Sequence, residues 1–150
     1  MKTETKTILV TGMSGLIGGI AGRDLAKKYH VRALNRRTVK NFETIQADIR
    51  NFDSIKPAFN GIDTVVHMAA YLGDNPETQL AVNVEGTYNV FKAAKDSGVK
   101  RIIFGSSGAV QKAIEGQEPF LTMVQGRSKD MLSPPPQIGH LDSVNPSDLY

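Results

Sequence analysis

The sequence predicts an α/β fold, a doubly wound parallel sheet with helices on both faces, and three observations support this prediction. Short apolar, β-branched runs alternate with stretches of helical periodicity along most of the chain. A glycine-rich turn, TGMSGLIGG, directly follows the first of these runs. At 150 residues with 40% hydrophobic content, the chain is long enough to bury one core. We therefore expect a single domain over residues 1–150.

The first part of the chain predicts three strands. TILV (7–10) is the first strand, and the helical stretch Leu16–Lys28 follows the glycine-rich turn. VRAL (31–34) and TIQA (44–47) are the second and third strands, and polar turn residues follow each of them. The order strand, turn, helix, strand is typical of parallel sheets with crossover helices.

The alternation continues with another helix and strand. Phe52, Ile55 and Phe59 share one helical face, although Pro57 is expected to shorten or kink that helix. The segment Asp63–Ala70 is nearly all apolar at its centre. A strand that helices cover on both faces has this composition, so we predict a central strand here.

A long helix and a fifth strand complete the predicted unit. Apolar residues recur at helical spacing between Pro76 and Ser97, and Gly98 is a natural left-handed stop. The recurring residues are Leu80, Val84, Tyr88 and Phe91. Arg101–Phe104 is the fifth strand. With right-handed crossovers, these elements predict the strand order 3-2-1-4-5.

The glycine-rich turn predicts a dinucleotide site. Gly12, Gly15 and Gly18 form a G-x-x-G-x-x-G pattern between the first strand and the first helix. In this pattern Gly12 permits the tight turn, Gly15 lets the backbone approach a pyrophosphate, and Gly18 lets the helix pack closely. A flexible turn is the alternative interpretation. The position between an apolar strand and an apolar helix favours dinucleotide binding.

The end of the second strand bears on the choice of cofactor. An acidic residue there would accept hydrogen bonds from the adenosine ribose, but this sequence has Asn35, followed by Arg36 and Arg37. Loss of the carboxylate removes repulsion toward a 2′-phosphate, and a guanidinium pairs with phosphate bidentately. We predict NADP rather than NAD. The alternative is that both arginines are surface charges.

Composition narrows the function classes. The chain has no cysteine, which excludes a disulfide framework and thiol catalysis. Its net charge of +3 comes from scattered basic residues and from KKYHVRALNRR at 27–37, a segment that we interpret as a solvated rim and not a nucleic-acid surface. Without a long apolar run, we expect no membrane partner and a cytoplasmic location. We predict no metal site, and His67 is interpreted as a packed core residue.

Several quoted motifs occur in a characteristic order: TGMSGLIGG, ADIRN, VVHMAA, NVEGTYNV and PSDLY. Together they resemble the extended short-chain dehydrogenase/reductases, the group of nucleotide-sugar epimerases, dehydratases and sugar dehydrogenases. The first is similar to the TGxxGxxG loop of that family, and the last to the start of its PxxxYGxSK helix. The resemblance covers essentially the whole chain and implies a Rossmann-like fold that binds NADP or NAD.

The resemblance implies roles for individual residues. Tyr150 matches the acid/base tyrosine, and Ser107 matches the residue that anchors the substrate oxygen. Asp48 would meet the adenine amino group, Ile49 the adenine ring, and Asn83 the nicotinamide side. The full set of implied cofactor contacts is Gly12, Gly15, Leu16, Ile17, Gly18, Asn35, Arg36, Asp48, Ile49, Met68, Ala69, Ala70 and Asn83.

The resemblance also implies the activity: an NAD(P)-dependent oxidoreductase, epimerase or dehydratase that acts on a sugar or nucleotide sugar and forms a homodimer in its full-length form. The family's lysine, four residues after the tyrosine, would lie beyond Tyr150. We therefore interpret the sequence as an N-terminal portion without the later strands and the substrate-binding region, and expect it to lack turnover. Residues 111–147 are predicted to form a long loop. The alternative function is a non-catalytic dinucleotide-binding sensor or regulatory module.

Overall fold

The structure is a computed structural model, and it describes residues 6–106. Its centre is a five-stranded sheet in which every neighbouring pair of strands is parallel. In chain order the strands are β1 (Thr7–Thr11), β2 (His30–Asn35), β3 (Glu43–Gln46), β4 (Thr64–His67) and β5 (Arg101–Phe104). The spatial order β3-β2-β1-β4-β5 confirms the predicted order and the doubly wound Rossmann-like fold.

Helical segments connect the strands. In chain order they are α1 (Leu16–Leu25), α2 (Phe52–Ile55), a 3₁₀ helix (Lys56–Phe59), α3 (Pro76–Gln79), a π-helical segment (Leu80–Gly86) and α4 (Thr87–Asp96). Asn51 caps α2 by accepting a hydrogen bond from the backbone N–H of Ser54 at 3.1 Å. The predicted effect of Pro57 is confirmed, because the α-helix gives way to the 3₁₀ helix at Lys56.

The core lies on both faces of the sheet because side chains alternate along each strand. On one face Leu9, Leu34 and Val65 pack with helical residues that include Phe59 and Val90. On the other face lies a second buried cluster formed by Ile8, Val10, Met13, Val31, Ala33 and Val66. Strand β1 is therefore buried on both sides, and so is β4, the strand for which the composition of Asp63–Ala70 predicted this.

Two elements are shorter than the sequence predicts. Helix α1 ends at Leu25, not at Lys28, because the N–H groups of Lys27 and Lys28 bond three residues back in a tight turn. Strand β4 covers Thr64–His67 and not the whole of Asp63–Ala70. After His67, the N–H of Met68 is shared between the carbonyl and hydroxyl oxygens of Thr11 in β1, and the N–H of Ala69 bonds to that hydroxyl oxygen.

The helix predicted over 76–97 is present but is not one regular α-helix, since the π-helical segment interrupts it. Its buried face is formed by Gly86, Val90, Ala93 and Ala94. The apolar residues whose spacing predicted the helix lie outside that face, with exposures of 36–66%: Leu80, Val84, Tyr88 and Phe91. The left-handed stop at Gly98 is confirmed by its φ of +74°.

Residues 111–147, predicted as a long loop, lie outside the described part of the chain. Within residues 6–106, no helix has the length and apolar character that a membrane crossing requires. The fold brings the carboxyl ends of β1, β2 and β4 side by side at one edge of the sheet.

Candidate dinucleotide site

A cleft of about 430 Å³ opens at the carboxyl edge of the sheet, and we call it the sheet-edge cleft. It lies where the strand order reverses between β1 and β4, the position at which open α/β sheets bind ligands. Its lining comprises Gly12, Ser14, Gly15, Leu16, Ile17, Gly18, Leu34, Asn35, Arg36, Ala47, Asp48, Ile49, Met68, Ala69, Ala70, Tyr71, Leu72 and Val82. Every residue predicted to contact the cofactor is therefore in this lining, except Asn83.

The three glycines of the turn have different surroundings. Gly12 has a φ of +67°, and a Cβ built on it would lie 2.6 Å from the backbone nitrogen of Ala69. A Cβ on Gly18 would collide with the backbone of Gly12, lying 2.9 Å from its carbonyl carbon. Helix α1 thus packs closely on the turn itself. A Cβ on Gly15 would meet only Gly12 O, at 3.3 Å, so Gly15 presents bare backbone to the cleft.

The amino terminus of α1, which carries positive potential, lies at this bare backbone. Gly15 is the N-cap residue, no side chain caps the helix, and its first turn contains no acidic residue. The first backbone N–H groups of an α-helix have no intrahelical acceptor, and the helix dipole adds positive potential there. Together with Gly15, this end of the cleft has the donors and the space that a diphosphate requires.

A hydrogen-bonded unit joins the glycine-rich turn to the end of β2. Asn35 is 7% exposed, and its Oδ1 accepts from Ser14 Oγ at 3.3 Å and from Ser14 N at 3.5 Å. Its Nδ2 donates to the carbonyl oxygen of Arg37 at 2.9 Å. Both the oxygen and the nitrogen of the Asn35 side-chain amide therefore have hydrogen-bond partners within the protein. Arg36 contributes to the lining of the cleft, whereas Arg37 does not.

Asp48 and Ile49 lie beside this unit. Arg50 holds Asp48 through two side-chain hydrogen bonds, Nε to Oδ1 at 3.0 Å and Nη2 to Oδ2 at 2.7 Å. These bonds keep the pKa of Asp48 below its usual value, so the carboxylate is a charged acceptor. Asn89 of α4 donates to the carbonyl oxygens of Ile49 and Arg50 at 3.0 and 3.2 Å, which fixes this segment at the cleft wall.

The opposite end of the cleft is a short segment after β4, from Met68 to Leu72. Asn83, in the π-helical segment, holds it by two bonds to the backbone of Tyr71: Oδ1 accepts from the N–H at 2.8 Å and Nδ2 donates to the carbonyl at 2.9 Å. Because both polar atoms of Asn83 are used here, the structure places it behind the lining. Its predicted contact with the nicotinamide side stays a prediction.

His67 is a packed core residue, as the sequence predicted. It is 0% exposed, its ring stacks on Phe104 with a centroid separation of 5.5 Å, and Phe91 packs edge-on at 6.1 Å. Burial lowers the pKa of His67 to about 4, because the low-dielectric surroundings disfavour the imidazolium. The residue is neutral over the physiological range.

Two predicted site residues lie outside the described part of the chain, and three residues at the cleft were not predicted from the sequence. The proposed catalytic pair, Ser107 and Tyr150, lies outside the described residues. Ser14 and Tyr71 were missed because a variable position of a turn and a residue after a strand carry no pattern of their own. Asn89 was detectable in principle, since it lies in the motif NVEGTYNV.

The chain is similar to known proteins over the part that forms this cleft. The NAD dependent epimerase/dehydratase family matches residues 8–126. L-arabinose 1-dehydrogenase (NAD(P)(+)) of Haloferax volcanii is 34% identical over 111 residues, 70% of this chain and 42% of that protein. UDP-glucuronate 4-epimerase of Thermodesulfobacterium geofontis is 32% identical over 136 residues, 74% of this chain and 41% of that protein.

Solved structures have the same fold. A short-chain dehydrogenase/reductase superfamily protein from Agrobacterium tumefaciens, crystallised with bound NAD, has a TM-score of 0.66 and 32% identity. The similarity covers 69% of this chain and 33% of that one. The chain thus spans about two fifths or less of the length of these three proteins.

Proposed function

The chain belongs to the NAD dependent epimerase/dehydratase family, and on that basis we propose that it is the dinucleotide-binding part of an enzyme that acts on a sugar or nucleotide sugar. One observation carries the proposal: the glycine-rich turn, the Asn35 and Asp48 region and the segment after β4 line one continuous cleft. The names of the arabinose dehydrogenase and the UDP-glucuronate epimerase support the substrate class.

In the proposed binding mode the pyrophosphate lies against Gly15 and the amino terminus of α1. Two properties support this position, the absence of a Cβ and the unpaired amides of the helix. The adenosine then lies toward Asn35 and Asp48, where the charged carboxylate accepts from the adenine amino group. The nicotinamide half extends toward Ala69 and Ala70. A bound nicotinamide dinucleotide supplies hydride transfer.

We propose that the cofactor is NADP. A carboxylate at the end of β2 would accept hydrogen bonds from both ribose hydroxyls. This chain has Asn35 there, and its side-chain amide is already hydrogen-bonded to Ser14 and to the carbonyl of Arg37. Arg36 is in the cleft lining, and in this proposal its guanidinium pairs with the 2′-phosphate. The arginine that follows it supplies a matched control, since its side chain lies outside that lining.

The proposal is tested by titrating the chain with NADPH and NADH and comparing Arg36→Ala with Arg37→Ala. Loss of a charge-assisted phosphate contact costs about 1.5–3 kcal/mol, so Arg36→Ala should weaken NADPH binding by roughly tenfold or more. NADH binding and the Arg37→Ala variant should stay near wild type. Equal affinities for the two cofactors, unchanged by either substitution, would remove the 2′-phosphate assignment, and no binding of either would remove the proposed function.

For the reaction we propose Tyr150 as the proton donor or acceptor and Ser107 as the anchor of the substrate oxygen. The similarity of PSDLY to the family's catalytic helix supports this assignment. A free phenol has a pKa near 10, and a neighbouring ammonium is needed to bring it toward neutrality. We propose that the polypeptide of residues 1–150 binds dinucleotide but does not turn over substrate, and measurable turnover by it would contradict the proposal.

A further inference from the structure

His67 connects three elements at the base of the sheet-edge cleft. Its Nδ1 lies 2.6 Å from Thr11 Oγ1, at the end of β1, and its Nε2 lies 3.0 Å from Thr87 Oγ1, at the start of α4. The ring is fully buried, and among the described residues no buried side-chain nitrogen or oxygen atom lacks a hydrogen-bond partner. In the neutral ring, one nitrogen must therefore donate to one of these hydroxyls and the other nitrogen must accept from the second.

The hydroxyl of Thr11 decides how those roles are divided. Its oxygen accepts from the backbone N–H of Ala69 at 3.1 Å, and it shares the backbone N–H of Met68, at 3.2 Å, with the Thr11 carbonyl oxygen at 3.3 Å. A hydroxyl has two acceptor positions and one proton, so both acceptor positions are used and the proton points to Nδ1. Nδ1 therefore accepts, and Nε2 carries the ring proton and donates to Thr87. The lowered pKa of His67 agrees with this neutral form.

This arrangement has a direct effect on the cleft. Met68 and Ala69, the two residues held by Thr11, line the cleft between the glycine-rich turn and its far end. Gly12 packs on their backbone so closely that a Cβ would lie 2.6 Å from Ala69 N. If the Thr11 hydroxyl turned away from His67, its bond from the Ala69 N–H would be lost, and the Met68 N–H would keep only the Thr11 carbonyl oxygen as its acceptor. The junction between the turn and the segment after β4 would then loosen.

We propose that His67 is a positioning residue for the cofactor: its Nδ1 orients the Thr11 hydroxyl, which fixes Met68 and Ala69 beside the nicotinamide half of the bound dinucleotide. The inference rests on the proposed function, since it assumes that the cleft binds a dinucleotide. It assigns no proton transfer to His67, which is not among the residues that line the cleft.

The first test is spectroscopic and does not depend on cofactor. In long-range proton–nitrogen NMR spectra of the 150-residue chain, the ring of His67 should show a protonated-type Nε2 and an unprotonated-type Nδ1. The signal is assigned by its loss in His67→Asn, which leaves the two other histidines of the sequence, His30 and His140. The opposite tautomer, or a ring that titrates near pH 6.5 as an unperturbed histidine does, would overturn the inference.

The second test separates positioning from general stability. His67→Leu fills the space without an acceptor, whereas His67→Asn retains an acceptor near the position of Nδ1. At a temperature where both variants are folded, His67→Leu should bind the tighter of NADPH and NADH roughly tenfold more weakly, as expected for one lost buried hydrogen bond. His67→Asn should recover most of this loss. The affinity for AMP, which occupies only the adenosine side, should be unchanged in both.

The outcomes are distinct. If His67→Leu binds the dinucleotide as wild type does, or loses AMP and dinucleotide equally, the positioning role is wrong. If His67→Leu does not fold, Thr11→Val and Thr11→Ser test the same hydrogen bond, because only serine keeps the hydroxyl. Thr11→Ser should then bind near wild type and Thr11→Val roughly tenfold more weakly. If wild type binds no dinucleotide, the proposed function fails and the inference fails with it, while the tautomer still tests the geometry.

Discussion

The side-chain amide of Asn83 brackets the backbone of Tyr71, accepting from its N–H at 2.8 Å and donating to its carbonyl at 2.9 Å. The two residues belong to different kinds of structure, since Asn83 lies in the π-helical segment and Tyr71 in an irregular segment that lines the cleft. Gln79 adds a third bond, from Nε2 to the carbonyl of Gly73 at 2.7 Å. The irregular wall of the cleft is thus held by helical side chains.

Replacing Asn83 should loosen that wall. Asn83→Ala removes two hydrogen bonds, each worth about 0.5–1.5 kcal/mol, so the free energy of unfolding should fall by about 1–3 kcal/mol. Urea unfolding measures the change. Glu85→Ala is the control because Glu85 is an exposed residue of the same π-helical segment, and it should shift stability by no more than about 0.5 kcal/mol. Equal effects of the two substitutions would show that the two hydrogen bonds between Asn83 and the backbone of Tyr71 do not stabilise the fold.

Gly12 and Gly18 should be needed for folding. At Gly12 an alanine would combine a left-handed φ of +67° with a Cβ 2.6 Å from Ala69 N, and at Gly18 its Cβ would collide with the Gly12 carbonyl. We expect Gly12→Ala and Gly18→Ala to lower the free energy of unfolding by more than about 2 kcal/mol, because backbone atoms must move. Thermal unfolding of the purified variants measures this. Midpoints equal to wild type for either would contradict the packing described for α1.

The stability of the fold should depend on pH through His67. Its pKa is about 4 when folded and 6.5 when unfolded, so the unfolded chain binds the proton more readily. The stabilisation that the folded state gains from the neutral, buried ring of His67 is complete above pH 6.5. It is lost progressively as the pH falls toward 4. Between pH 7 and pH 4.5 wild type should lose about 2–3 kcal/mol more stability than His67→Asn does.

Urea unfolding at both pH values measures that difference. Asp48 stabilises the fold in a lower pH range, because its lowered pKa gives a stabilisation that is complete above the ordinary aspartate pKa of 3.8 and is lost only as the pH falls through its folded pKa. The comparison with His67→Asn cancels groups other than His67. A wild-type protein whose pH dependence matches that of the variant would show that His67 is not buried as a neutral ring.

The fold was predictable because parallel connections obey a strict rule. Once five strands alternate with helices, right-handed crossovers leave few possible orders, and β3-β2-β1-β4-β5 is the observed one. The glycine-rich turn then placed Gly12, Gly15 and Gly18 at the reversal point. Most of the cleft lining followed from motifs at the carboxyl ends of the strands.

The unpredicted features depend on contacts between segments distant in sequence. The bond between Ser14 and Asn35 spans 21 residues, and the bond from Asn89 to Ile49 spans 40. No local pattern encodes such bonds. The π-helical segment also escaped prediction, because the spacing of Leu80 and Val84 fits an α-helix although both side chains are exposed.

The proposed dinucleotide site depends most on Gly15, whose bare backbone faces the cleft. An alanine there keeps an ordinary backbone conformation, since the φ of Gly15 is −84°, and its Cβ meets only Gly12 O at 3.3 Å. Gly15→Ala should therefore unfold within about 1 kcal/mol of wild type, the usual cost of losing a glycine N-cap. In the proposed binding mode its Cβ would occupy space that the pyrophosphate needs.

The decisive measurement is the dissociation constant of NADPH for wild type and for Gly15→Ala, determined by titration calorimetry on samples whose unfolding is measured in parallel. We predict that wild type binds and that the folded variant binds at least about tenfold more weakly, a difference of about 1.4 kcal/mol. A folded Gly15→Ala chain that binds NADPH as tightly as wild type would contradict the placement of a dinucleotide in the sheet-edge cleft.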